Sequence, residues 1–147
     1  MIIAEMNLAP VAKKAAELLQ TKHPDIEFTS GRRTIQQQAH AMAANVVLNR
    51  KWIGQTYIAA TKLQKWVDQH PEAKTIDAIT AGLEQVIAAM PESELVKISR
   101  HLTGRAFDVR PVKTNAAAIK ADIRALPGLH KFLEKEGGLV RWHAQFL

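Results

Sequence analysis

Apolar residues recur along this chain at two different periods, and the changes of period mark its elements. Val11, Ala15, Leu18 and Leu19 fall on one face at helical spacing, with Asn7 as the cap and Pro10 tolerated in the first turn. The pattern stops at His23-Pro24, because a residue before proline avoids helical backbone angles. Ile26, Glu27, Phe28 and Thr29 alternate as in a short strand, and Ser30-Gly31 forms a bend. Thr34, with Gln37 three positions on, is the signature of a capping box. It opens a helix whose apolar positions Ile35, Ala39, Met42 and Val46 are spaced four, three and four, running to about Asn49.

Residues 50–56, with Trp52 and Gly54, read as a connection. A helix is expected from Tyr57 to Gln69, carrying Leu63, Trp66 and Val67, and it stops at His70-Pro71. A second begins near Thr75, repeats Ile76, Ile79, Leu83, Val86 and Met90, and ends at Pro91. Trp52, Tyr57 and Trp66 read as packing residues rather than a ligand cage. Val96, Lys97 and Ile98 alternate as a short strand. Asn115 then caps a helix through Ile119, Ile123 and Leu126; Pro127-Gly128 breaks it, and Leu129, Phe132 and Leu133 continue it as far as Gly137-Gly138. A closing strand puts Arg141, His143 and Gln145 on one face and Val140, Trp142, Ala144 and Phe146 on the other.

Composition narrows the class. With 147 residues, 47% hydrophobic and 23% charged, one globular domain over 1–147 is expected. No apolar run approaches the roughly 20 residues of a membrane-spanning helix. The start Met-Ile-Ile-Ala-Glu-Met-Asn lacks the basic beginning and apolar core of a signal peptide, so synthesis in a bacterial cytoplasm is expected. Without cysteine, metal ligands would have to be His, Asp or Glu. A net charge of +6 suggests an anionic partner: nucleic acid, a membrane surface or an acidic wall polymer. Basic residues spread along the whole chain and aromatics at only 5% argue against nucleic acid.

The chemistry concentrates between Ser99 and Pro111. His101 and Asp108 are seven residues apart, Gly104 allows a sharp bend between them, and Ala106 to Val109 alternate as a strand carrying the carboxylate. His143 is the candidate third ligand. Two imidazoles and a carboxylate form a normal ligand set for catalytic zinc, with a fourth position left for water. His23 reads instead as a solvated histidine at a helix C-terminus. Arg32 and Arg33 lie where a strand meets a helix, a common place for functional side chains, although exposed arginines are the plainer reading of both.

Together these residues resemble a family. Ser99-x-His101-x-x-Gly104-x-Ala106-x-Asp108 agrees at all five fixed positions with the motif of the zinc D-alanyl-D-alanine carboxypeptidases and dipeptidases, a group that includes the L-alanyl-D-glutamate endopeptidases of phage endolysins. Ser30-Gly31-Arg32-Arg33-Thr34, followed by Gln38, is similar to the family's Ser-Gly-Tyr-Arg-Ser segment, and Trp142-His143 to its terminal Trp-His. The resemblance implies an α+β fold in which a small antiparallel sheet holds one zinc ion through His101, Asp108 and His143. It selects Arg33 over Arg32 as the catalytic cation and Ser99 as a substrate contact.

Two departures stand out. Relatives carry Glu or Asp three residues before the last histidine, as general base; here that residue is Val140, and Glu136 upstream is the remaining candidate, with Glu134 read as a solvated helix-end charge. The stretch between Arg33 and Ser99 is long for the family, which points to a helical insertion at about 50–92. The expected protein is a monomeric, endolysin-like zinc peptidase that cleaves the stem peptide of bacterial peptidoglycan and acts at the cell wall, without nucleic acid and without membrane insertion. The alternative is a zinc-stabilised wall-binding or virion structural module.

Overall fold

Pro10 supplies a fixed φ and needs no amide partner at a helix start, and the first helix begins there. The computed structural model describes residues 1–136 and 139–147, without the side chains of Glu136 and Leu139. After a 3-10 turn at Ile3–Glu5 come α1 (Pro10–Lys22), β1 (Phe28–Ser30), α2 (Ile35–Val46), α3 (Trp52–Thr56), α4 (Thr61–Gln69), α5 (Ile76–Ala88) and α6 (Glu92–Ile98). A second 3-10 turn at Arg100–Thr103 leads into β2 (Ala106–Val109), α7 (Ala116–Arg124), β3 (Leu129–Glu136) and β4 (Leu139–Phe146). The fold is α+β, with seven α-helices and one small antiparallel sheet among the described residues. None of the described helices is long and apolar enough to cross a membrane. The chain packs as two units, Met1–Arg32 with Thr103–Leu147, and Arg33–Leu102.

In the first unit the four strands run antiparallel in the order β1-β2-β4-β3. The β2/β4 register pairs Phe107 with Ala144 and Val109 with Trp142, all buried in a core shared with Ala12, Ala15, Ala16 and Leu19 of α1 and Ile119 and Ile123 of α7. Because strand side chains alternate, the residues between them, Asp108 and His143, point to the opposite face. The apolar stripe of α1 is shifted from its expected position: Leu18 is exposed, and Ala12 and Ala16 are buried instead. Ala9, not Asn7, is the N-cap, and Asn7 adopts a left-handed φ of 49°. His23 does end α1, but it is not solvated. Its Nε2 lies 2.7 Å from Asp122 Oδ2, which ties α1 to α7.

The second unit is helical. Ala39, Met42, Ala43 and Val46 of α2 pack with Ile79, Leu83 and Ile87 of α5, and Leu63 and Val67 of α4 complete the layer. Thr34 and Gln37 form the expected capping box at 3.1 and 2.9 Å, and Thr75 caps α5. The Arg50 guanidinium donates to the carbonyls of Val67, His70 and Ala73, pinning the end of α4 and the turn that follows it. Trp52, Tyr57 and Trp66 pack against this core.

Four expected elements differ. The run from Leu129 to Leu133 is strand β3, not the continuation of a helix. Its ladder with β4 is interrupted between Leu129 and Lys131 and again between Leu133 and Lys135, which erases the two-residue alternation that would have marked a strand. Val96 to Ile98 close helix α6, where Glu92 and Glu94 sit in the first turn and Lys97 in the last, a charge order suited to a helix dipole. Part of the supposed connection at 50–56 is helix α3, and α4 starts at Thr61 rather than Tyr57.

Gly82 allows α5 to approach Trp66 closely: a methyl group there would collide with the indole ring. Gly82→Ala should therefore destabilise the protein although alanine favours helix. About 1 kcal/mol of propensity is gained, and about 3 kcal/mol is lost to overpacking against a rigid ring. Urea denaturation should show a net loss of about 2 kcal/mol, and a more stable variant would refute the close contact.

Candidate metal centre

The β2/β4 ladder brings together two members of the site that are 35 residues apart in the chain. Asp108 is the direct cross-strand partner of His143, and His143 Nδ1 lies 2.8 Å from Asp108 Oδ1. Gln145, two residues along the same face, places its Oε1 2.9 Å from His143 Nε2. The Asp108 and His143 side chains are 3% and 5% exposed, so the carboxylate has lost its water and requires a partner of opposite charge or a strong donor.

His101 comes from the turn Arg100–Thr103 that follows α6. Its backbone is held on both sides: Ser99 Oγ accepts its N–H at 3.3 Å, and its carbonyl accepts the N–H of Arg33 at 3.0 Å. One ligand atom each from His101, Asp108 and His143 lies within 4.8 Å of the others, and all three residues are buried. Two imidazoles and one carboxylate, drawn this close in a dry setting, suit a divalent ion. This group can bind a metal ion.

Gly104 makes the bend between His101 and Asp108. Its φ is +72°, and a Cβ there would meet the Ala9 amide nitrogen, the Asn7 carbonyl oxygen and the Arg32 guanidinium at 2.8 to 2.9 Å. Arg32 is not merely solvated: its Nε donates to the Asn7 carbonyl at 2.8 Å and its Nη2 to the Thr103 carbonyl at 3.2 Å, clamping the chain beside that glycine. Arg33 is half-buried, and its Nη1 lies 3.4 Å from Oε1 of the buried Gln38. The two neighbouring arginines thus have different bonding, one to main-chain carbonyls and one to a side-chain amide.

Val140 is 64% exposed, and a valine has no proton to exchange. The side chain of Glu136 lies outside the described residues. Glu134 stands on β3, not at a helix end, 2.6 Å from Lys120 and 2.7 Å from Arg124. Lys120 first, with Arg124, holds its carboxyl below the usual carboxylate range, which makes it a weak base. Sequence reasoning missed the roles of Arg32 and Gln145. For Gln145 a signal existed, since the strand alternation sets it on the same face as His143.

No family model, curated protein or solved structure matches the chain.

If the three residues share an ion, metal should stabilise the folded state. At a free concentration 100 times Kd the gain is about 2.7 kcal/mol, visible as a rise in Tm when zinc is added to chelator-treated protein. Asp108→Ala should abolish the rise. A wild-type Tm indifferent to zinc, cobalt and manganese would rule the centre out.

Proposed function

We propose that the protein is a zinc-dependent peptidase of bacterial peptidoglycan, cleaving an amide bond in the stem peptide. The observation that carries this reading is the buried group of His101, Asp108 and His143, a donor set of the kind found in catalytic zinc sites. Zinc is favoured over magnesium or calcium because two of the three donors are imidazole nitrogens. When bound, the ion would supply a Lewis acid for the scissile carbonyl and a water made acidic enough to attack near neutral pH.

The chain's own residues supply orientation and charge. His101 is fixed through its backbone by Ser99 and Arg33, so both residues singled out by the motif resemblance also position a ligand. The Arg33 guanidinium is the cation assigned to the developing oxyanion, a role that pre-positioned donors perform best where water is excluded. Ser99 is assigned to substrate contact through that same resemblance. The net charge of +6 favours encounter with an anionic wall.

A second reading, a zinc-stabilised wall-binding or virion structural module, is favoured by one observation. The position three residues before His143, where relatives of the resembled family carry the base, holds the exposed Val140.

Purified peptidoglycan separates the two readings. The peptidase should release new amino termini, lose that activity to a chelator and regain it with zinc. Arg33→Ala should lower kcat by about 100-fold or more while zinc content stays unchanged. Glu136→Gln tests the remaining acidic candidate. Stoichiometric zinc with no bond cleaved under any condition would discard the peptidase and leave the structural module.

A further inference from the structure

The two ring nitrogens of His143 face chemically different partners. Nδ1 faces the Asp108 carboxylate at 2.8 Å, and Nε2 faces the Gln145 side-chain amide at 2.9 Å. A neutral imidazole carries one proton, and the nitrogen without it is the one that can ligate a metal. Whichever group fixes the proton therefore fixes which nitrogen is the ligand. A carboxylate at Nδ1 accepts a proton there and draws the ring toward the wrong form for metal binding on the Asp108 side. A carbonyl oxygen at Nε2 draws it the other way.

We propose that Gln145 is the positioning residue of the metal centre: when metal is bound, its Oε1 accepts the Nε2–H of His143, so that the unprotonated Nδ1, on the Asp108 side, is the ligating atom. This rests on the metal reading of the site. The backbone explains why Gln145 can do it. Residues 143 and 145 lie on one face of β4, about 7 Å apart along the strand, and the long glutamine side chain spans that distance. Opposite Gln145 on β2 stands Ala106, fully buried and only a methyl group in size, which leaves the amide room to turn toward the ring. Asp108 occupies the equivalent position opposite His143. The imidazole is thus held between a carboxylate on the neighbouring strand and an amide on its own. Partners on the far nitrogen of a ligating histidine orient the ring and fix its tautomer, and their loss typically weakens metal binding by about 10 to 100-fold.

The test uses the full-length protein, with zinc alone as the probe. In Gln145→Leu, zinc affinity measured by competition with a chromophoric chelator should fall by about 10 to 100-fold. In Gln145→Glu, which can only accept from Nε2–H, affinity should be kept or increased. Long-range proton–nitrogen NMR of the zinc-loaded, ¹⁵N-labelled wild type should find the His143 proton on Nε2 and the zinc-induced shift on Nδ1. That measurement needs no variant, so it stands even if Gln145→Leu fails to fold. An unchanged affinity in Gln145→Leu, or zinc bound through Nε2, would overturn the proposal while leaving the metal centre standing. A wild type that takes up no zinc would overturn the metal centre and this proposal with it.

Discussion

Asp108 and His143 face each other across the central strand pair of the sheet, in a position where neither is solvated. A carboxylate brought into such an interior demands compensation, and 2.8 Å from an imidazole nitrogen it has found part of it. The arrangement depends on register. Slipping β2 against β4 by one residue would move Asp108 to the core face, beside Trp142 and Phe146, and would carry Phe107 and Val109 out of the core that holds the unit together. The same alternation that builds the hydrophobic core therefore places the two ligands together, and sheet stability and site geometry share one constraint.

Around that pair the molecule uses short backbone devices. Gly104, in a left-handed conformation against Ala9 and Asn7, turns the chain between His101 and Asp108 where any Cβ would collide. Arg32 holds the same corner through the carbonyls of Asn7 and Thr103. Arg33, its neighbour, instead meets His101 through the main chain and Gln38 through its guanidinium. Adjacent residues of identical type have thereby separated into one that supports the fold and one that remains a candidate for chemistry.

The carboxylates outside the centre are arranged differently. Glu134 is occupied by Lys120 and Arg124, and Asp68 by Lys51 and Gln64, which lower both carboxyl groups below their usual range. Such exposed pairs contribute little to stability. They do keep these groups ionised and engaged, which makes each a poor reservoir for a catalytic proton. Asp108 differs from both in being buried, with the His143 imidazole beside it.

Much of this was legible along the chain. The capping box at Thr34 and Gln37, the amphipathic run of α5, and the alternation that sets His143 and Gln145 on one face of β4 are local patterns, and local sterics and hydrogen bonding are enough to specify them. The spacing of His101, Gly104 and Asp108 likewise announced a turn followed by a strand. The sequence alone could not reveal that β3 is a strand, because its two ladder irregularities hide the alternation and only pairing with β4 stabilises it. Nor could it show that Arg32 clamps main-chain carbonyls, or that His23 is bound to Asp122 rather than solvated. The roles of Arg32 and His23 depend on partners 25 to 99 residues away in the chain, and such contacts exist only once the chain has packed.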